Sequence, residues 1–268
     1  MTSEISRPIG FFDSGVGGIS ILNEVATQLP AENSIYLADS LNAPYGTKSK
    51  QQIIDLSVKN TALLLNKGCK LIVVACNTAT TNAISYLRKT FDIPFIGIEP
   101  AVRPAILQSK VNRIGVLATK GTLSSELFAS ANQYASLNKT NIVEVEGKGL
   151  VESIESNTIH NPAFKAHLSK LIQEFIDKEV DYVVLGCTHY AFLKPILFDL
   201  LPKNINIIDA IEPVTRQVKK LLFDLSLLNK ANSNHTNYHF YSNSNPEIVK
   251  HFLPERFQTN ISVKYLDF

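Results

Sequence analysis

An α/β fold built on parallel sheets follows from two features of the chain. Short runs rich in β-branched and aromatic residues alternate with longer stretches of helical period, as strands do when helices carry the chain back across a sheet. Several of these runs are apolar throughout rather than alternating, which suits strands covered on both faces. In chain order the strands are expected at Ile9 to Asp13, Ser34 to Ala38, Leu71 to Ala75, Pro94 to Ile98, Arg113 to Leu117, Asn141 to Glu146, Asp181 to Gly186, Ile205 to Ile208 and Tyr238 to Ser242. Helical period fills the intervals. In Gln51 to Lys67, for example, Ile54, Val58, Ala62 and Leu65 recur at spacings of three and four, with Ser49 placed to cap the start and Gly68 to stop the end.

The chain states its pattern twice. Ile9-Gly10-Phe11-Phe12-Asp13-Ser14-Gly15 is echoed by Ile114-Gly115-Val116-Leu117-Ala118-Thr119-Lys120-Gly121, and Leu71-Ile72-Val73-Val74-Ala75-Cys76-Asn77-Thr78 by Tyr182-Val183-Val184-Leu185-Gly186-Cys187-Thr188-His189. Buried strands share a vocabulary, so the strand residues alone are weak grounds; the cysteine that ends both members of the second pair is stronger. Two similar domains are expected, each a mainly parallel sheet flanked by helices, related by an approximate twofold with the active site between them. Residues 1–98 with 210–268 form the first and residues 99–209 the second, changing over near Glu99-Pro100 and Asp209-Ala210. The segment after Asn229 to Asn237 adds a strand and a helix.

Composition excludes several classes. With 268 residues and 45% hydrophobic content the chain can bury substantial cores, so it is neither disordered nor a stapled mini-protein. A formal charge of +2 supplies no field for nucleic acid or an anionic membrane. The longest apolar runs, such as Leu71 to Cys76, are far too short to span a bilayer, and Met1 to Pro8 lacks the basic start and apolar core of a secretory signal; a cytoplasmic location is expected. Three widely spaced cysteines, Cys69, Cys76 and Cys187, make no C-x-x-C pair and no disulfide framework.

Cys76 and Cys187 fall where strands pass into helices, the place where ligands collect in open α/β sheets. A thiol there meets the unpaired N–H groups of the next helix, which lower its pKa and also bind carboxylates. Asn77 and Thr78 after one cysteine, and Thr188 and His189 after the other, supply polar groups for orienting a substrate, and His189 is placed to polarise Cys187. Two thiols at equivalent points of a duplicated unit suit a reaction that needs acid and base on opposite faces of one carbon, which is racemisation or epimerisation. Cys69, without such a partner, reads as core filler.

Other readings compete. Gly15-Val16-Gly17-Gly18-Ile19-Ser20 follows a strand and nearly matches a dinucleotide loop, with Asp39 roughly 20 residues on, as a nicotinamide enzyme would have it. Ser20 in the sixth position and the negative charge of Asp13 oppose that. Asp13 fits a proton-handling group beside a cysteine equally with a helix cap, Ser14 a polar contact, and Pro44-Tyr45-Gly46 a loop whose amides reach a carboxylate or an ordinary turn. Cys76, Cys187 and His189 lack the paired spacing of a structural zinc site, so no metal is expected. A Cys-His hydrolase leaves the second cysteine unexplained.

Phe12-Asp13-Ser14-Gly15-Val16-Gly17-Gly18, Pro44-Tyr45-Gly46-Thr47, Ala75-Cys76-Asn77-Thr78-Ala79-Thr80 and Gly186-Cys187-Thr188-His189-Tyr190 together resemble the signatures of the glutamate racemases, within the wider aspartate/glutamate/hydantoin racemase group. The resemblance extends over most of the chain. It implies cofactor-independent interconversion of L- and D-glutamate, supplying D-glutamate for peptidoglycan, by a homodimer. It further implies that Cys76 acts on D-glutamate with help from Asp13 and Cys187 on L-glutamate with help from His189. Ser14, Pro44, Tyr45, Gly46, Asn77, Thr78 and Thr188 match substrate-contact positions, and Glu152 matches a supporting carboxylate. Lys148 and Ala210 depart from the family pattern at peripheral positions, and the short segment before the first strand leads us to expect no activator bound by an N-terminal extension. A racemase of aspartate or another small acid, a nucleotide-dependent oxidoreductase and a non-catalytic amino-acid sensor are the alternatives.

Overall fold

The computed structural model describes residues 4–230, 236–257 and 261–268. The expected Asn229 to Asn237 connection therefore lies outside the described residues over 231–235, as do the first three residues of Met1 to Pro8. Two wholly parallel sheets organise the chain. The first contains β1 (Ile9–Asp13), β2 (Ser34–Ala38), β3 (Leu71–Val74), β4 (Phe95–Gly97), β9 (Tyr238–Ser242) and β10 (Ser262–Tyr265) in the order β10-β9-β2-β1-β3-β4. The second contains β5 (Arg113–Ala118), β6 (Asn141–Glu146), β7 (Tyr182–Gly186) and β8 (Asn206–Ile208) in the order β6-β5-β7-β8. The strand order β2-β1-β3-β4 of the first sheet is thus repeated by the second. β1 corresponds to β5 and β3 to β7, the pairs whose sequences echo each other.

Helices flank both sheets: α1 (Ile19–Gln28), α2 (Lys50–Asn66), α3 (Asn77–Thr90), α4 (Val102–Gln108), α5 (Lys120–Leu123), α6 (Glu126–Leu137), α7 (Leu150–Glu155), α8 (Pro162–Asp177), α9 (Lys194–Leu200), α10 (Ile211–Asp224) and α11 (Pro246–His251). Among the described residues none is long and apolar enough to cross a membrane. Neighbouring strand residues point to opposite faces, so Phe11, Leu71 and Val73 join a large apolar cluster that continues through α4 into the second sheet. Phe12, Ile72 and Val74 enter a smaller one beneath α2 and α3.

All nine expected strands occur, with ends shifted by about one residue at β3, β4, β5, β7 and β8. β10 was not anticipated, because Ser262–Tyr265 is a half-covered edge segment that lacks the continuous apolar character of the buried strands. The start and stop of α2 follow the expectation: Ser49 and Gln52 form a reciprocal capping box, and Gly68 takes φ +79°, which a side chain would resist. Its buried face differs. Ile54, Val58, Ala62 and Leu65 are half-buried, while the innermost line runs one position earlier through Ile53, Ser57, Asn60, Thr61 and Leu64. Of the polar residues on that line, Asn60 donates to the Tyr45 hydroxyl and reaches Asp39 just past β2, and Ser57 donates to the Ile53 carbonyl.

Candidate active site

β1 ends on Asp13, and the chain turns through Ser14 to Gly18 into α1. The Asp13 carboxylate folds back over this turn, accepting the N–H groups of Ser14 and Gly18, each at 2.8 Å. Tyr36 on β2 braces the same turn by donating its hydroxyl to the Gly15 carbonyl at 2.7 Å. None of the turn glycines has positive φ. Their role is space. A Cβ on Gly17 would lie 2.5 Å from Nδ1 of His189 and 2.6 Å from the Thr188 hydroxyl, and one on Gly15 would collide with the Glu155 carboxylate. The backbone of the first half here meets side chains of the second.

That arrangement also weighs against a dinucleotide loop. Ser14 and Gly18 amides are already taken by Asp13, and the Val16 amide donates to Glu155 at 2.7 Å, so the N–H groups a pyrophosphate requires are occupied by carboxylates of the chain itself.

Cys76 follows β3 and caps α3, its sulfur accepting the Ala79 N–H at 3.5 Å and lying 3.7 Å from the Ser14 hydroxyl. Cys187 follows β7 and opens a 3₁₀ turn, Thr188–Leu193, with no capping bond from its side chain. Both thiols are nearly covered, at 4% and 8% exposure. They are close enough for charge on Cys187 to raise the pKa of Cys76. The expectation that a helix N-terminus leaves Cys76 readily ionised is overturned here. Burial, followed by the negative charge of Asp13, pushes this thiol well above its ordinary value, outweighing the Ala79 N–H. Burial likewise raises Asp13, against the lowering effect of His189.

His189 sits between anionic groups. Its Nδ1 lies 3.8 Å from the Cys187 sulfur and 4.0 Å from Asp13, and its Nε2 lies 2.6 Å from Glu155. Burial alone would lower its pKa, but Cys187, Glu155 and Asp13 together raise it well above the ordinary value, favouring the imidazolium. Thr188 points its hydroxyl at Asp13 across 3.5 Å. The structure therefore gathers Asp13, Ser14, Cys76, Cys187, Thr188 and His189 at the carboxyl ends of β1, β3 and β7. Among the described residues no group of three or more His, Cys, Asp and Glu is arranged to hold a metal ion.

Asn77 donates to the Ile98 carbonyl at 3.2 Å, while its buried Oδ1 has no partner among the described residues. Thr78 meets Thr119 at 2.8 Å and Thr122 at 3.2 Å, forming a buried cluster of three hydroxyls that joins α3 to the end of β5. Tyr45 and Gly46 lie in a 3₁₀ turn, Tyr45–Thr47, whose Gly46 abuts Thr119: a Cβ there would approach the Thr119 Cβ to 2.8 Å. Pro44, Gly46, Thr119 and exposed Glu152 line a cavity of about 160 Å³ between the two halves, along with Lys148 of the second.

Two groups escaped the sequence reading, and a third was weighed there in another role. Glu155, one helical turn beyond Glu152 on α7, is the carboxylate that reaches His189; the spacing of three residues, which puts both carboxylates on one side of the helix, was the available signal. Thr119 and Thr122 are the counterparts of polar residues after β1, and the internal repeat pointed to that region. Asp39, weighed above as a ribose ligand, instead accepts from the Tyr45 hydroxyl and from Asn42 and Asn243, and so braces the loop.

The profile of the Asp/Glu/hydantoin racemase family matches residues 13–218. A curated glutamate racemase of Pseudomonas paraeruginosa is 39% identical over 264 residues, covering 98% of each chain. Among solved structures, a glutamate racemase of Bacillus anthracis superposes with a TM-score of 0.86 at 27% identity, covering 98% of each chain. The glutamate racemase of Francisella tularensis, solved with D-glutamate, gives 0.83 at 28% identity, again over 98% of each. Two parallel sheets of matching order, a cysteine at the same point of each, and these likenesses over nearly the full length lead to one assignment: the chain belongs to the Asp/Glu/hydantoin racemase family.

Proposed function

We propose that this chain interconverts L- and D-glutamate without a cofactor, using Cys76 and Cys187 as paired acid and base. The observation that carries this reading is the placement of the two thiols at equivalent strand ends, within electrostatic reach of each other and each beside its own proton-handling partner. In the L-to-D direction Cys187, acting as the base with His189 beside it, removes the α-proton. Cys76, a thiol whose proton is stabilised by burial, returns one to the opposite face. In the reverse direction Cys76 must first lose its proton, and Asp13, whose own pKa burial raises, is the group placed to take it.

Removing an α-proton beside a carboxylate builds negative charge on carbon, and fixed donors must offset it. In this reading Ser14, Asn77 and Thr188 hold the α-carboxylate and ammonium, with the unpartnered Asn77 Oδ1 a ready acceptor for the ammonium. The hydroxyls of Thr78, Thr119 and Thr122 and the turn amides near Pro44, Tyr45 and Gly46 provide donors for the side-chain carboxylate. Glu152 acts at the rim. In this reading residues 1–98 with 210–268 and residues 99–209 move as two units about Glu99-Pro100 and Asp209-Ala210 to admit substrate, a motion that the near-complete burial of both thiols supports. The product serves peptidoglycan synthesis, in the cytoplasm, with the chain acting as a homodimer.

Incubation of the purified chain with L-glutamate in deuterated water, without pyridoxal phosphate, metal or nucleotide, should yield D-glutamate carrying deuterium at Cα. Absence of both D-glutamate and exchange sinks the proposal, and faster turnover of aspartate in a substrate panel moves the assignment to another branch of the family.

A further inference from the structure

The loop that brings Tyr45 and Gly46 to the cleft is held from behind by a residue about 200 positions away in sequence, reached through Asp39. Asp39 follows β2 and is buried. Its Oδ1 accepts Asn42 Nδ2 at 2.7 Å and Asn243 Nδ2 at 2.5 Å, and its Oδ2 accepts the Tyr45 hydroxyl, with Asn60 Nδ2 at 3.5 Å. Among the described residues no lysine or arginine pairs with it, so neutral donors alone satisfy a buried carboxylate. Each donor therefore counts for more than an ordinary surface bond.

Asn243, just past the end of β9, is the donor that comes from outside the loop and its helix. Its amide is fully used. One carbonyl oxygen accepts the Leu41 N–H at 2.9 Å, and the NH₂ group donates to Asp39 and, at 3.1 Å, to the Phe268 carbonyl. One side chain thus ties β9, the segment after β10 and Leu41 of the loop to the carboxylate that positions Tyr45. The turn it supports meets the other half of the molecule at Gly46 and Thr119, with less space than one methyl group needs. The proton-handling groups Asp13, Cys76, Cys187 and His189 make no bond to Asn243.

We propose that Asn243 is a positioning residue for substrate binding, setting through Asp39 the height of the Tyr45-Gly46 turn against Thr119. The role rests on the glutamate reading of the cleft. It predicts a change in affinity with little change in chemistry, since the loop lies on the carboxylate-binding side and the thiols keep their partners.

Asn243→Ala should raise KM for L-glutamate about tenfold, as loss of one buried charge-assisted hydrogen bond does, while kcat changes less than about twofold. Tyr45→Phe cuts the same carboxylate from the other side. The KM increase in the double variant should be smaller than the product of the two single increases if the network is shared. A wild-type KM in Asn243→Ala, a fall in kcat at constant KM, or full additivity overturns the proposal. If Asn243→Ala does not fold, Asn243→Ser, which keeps one donor, reads the same split. Amide hydrogen exchange over residues 39–47 should be faster in the variant than in the wild type whether or not glutamate is the substrate. Unchanged exchange overturns the positioning role, whereas a wild-type chain that does not turn over glutamate overturns only the assigned substrate.

Discussion

Cys76 and Cys187 occupy the same point in two sheets of the same strand order, yet the chain surrounds them differently. Cys76 caps a long helix, touches Ser14 and faces a carboxylate; burial and that negative charge hold its proton in place. Cys187 has no capping bond and a histidine instead, itself raised towards the charged form by Glu155 and Asp13. A duplicated scaffold has therefore been supplied with one anionic and one cationic assistant. In the proposed reaction the Cys76 side, where burial and Asp13 hold the proton, is the donor when the L enantiomer enters. The comparison is also its own weak point, because every effect below should depend on which side is altered.

Removing either sulfur should have the largest effect. Cys76→Ser and Cys187→Ser should each reduce racemisation by roughly 10³-fold or more, the scale on which positioned general acids and bases act. Because the two enantiomers are equally stable in solution, kcat/KM must fall equally in both directions. The asymmetry appears instead in the α-deuterium isotope effect, which should grow most for the enantiomer whose proton the altered side removes. An equal effect with both enantiomers would break the comparison.

His189→Asn comes next, with a loss of roughly 10²-fold, since it removes the positive partner of Cys187 but leaves both sulfurs. Its isotope effect should rise with L-glutamate rather than D-glutamate. Glu155→Gln is milder, about tenfold. It withdraws one of the anions that raise His189, so the imidazolium titrates at lower pH and the alkaline limb of the rate profile moves down. The same substitution affects stability with a definite sign. A histidine whose folded pKa is raised contributes stability that is fully present below its unfolded value, near 6.5, and is lost as pH rises through the folded value. Thermal unfolding of Glu155→Gln should thus differ from wild type at acidic pH and converge with it at alkaline pH.

These contrasts also show what a sequence can carry. Strands buried on both faces announce themselves, because Leu71 to Val74 and Tyr182 to Gly186 can be little else, and a cysteine ending each exposed the duplication and with it the paired thiols. β10 escaped because an edge strand needs no apolar signature. The inward line of α2 is displaced by one position and includes Asn60, which answers a carboxylate just past β2 and the Tyr45 hydroxyl, a tertiary demand invisible in local period. Glu155 was passed over for Glu152 for a related reason: on a six-residue helix both carboxylates are plausible, and only the fold shows which one meets a histidine 34 positions farther along the chain. Patterns set by one residue's own surroundings were legible. Those set by a partner across the cleft were not.

The smallest effect is expected at the remaining cysteine, and it tests whether position or thiol chemistry distinguishes the pair. Cys69 lies just before β3 rather than after it, at the opposite end of the strand from Cys76, packed against Gly10. Burial pushes its pKa up to about 12, with Arg7 and Lys67 lowering it only in part, so it holds its proton throughout the physiological range. Cys76 is also raised by burial, which means that a high pKa in the resting chain cannot by itself separate catalyst from filler. What separates them is a proton acceptor: Cys76 has Asp13 beside it, whereas among the described residues no carboxylate or imidazole acts on the Cys69 thiol, and the nearby Arg7 guanidinium donates to the Cys69 carbonyl at 3.0 Å. Cys69→Ala should leave kcat and KM within about twofold of wild type while costing roughly 1 kcal/mol of stability for the small cavity it opens. Alkylation by iodoacetamide should modify Cys187 or Cys76 in a manner that glutamate blocks, and should not reach Cys69 in the folded chain. A Cys69→Ala variant that folds normally but loses racemisation would show that the strand-end location of the other two does not mark them out.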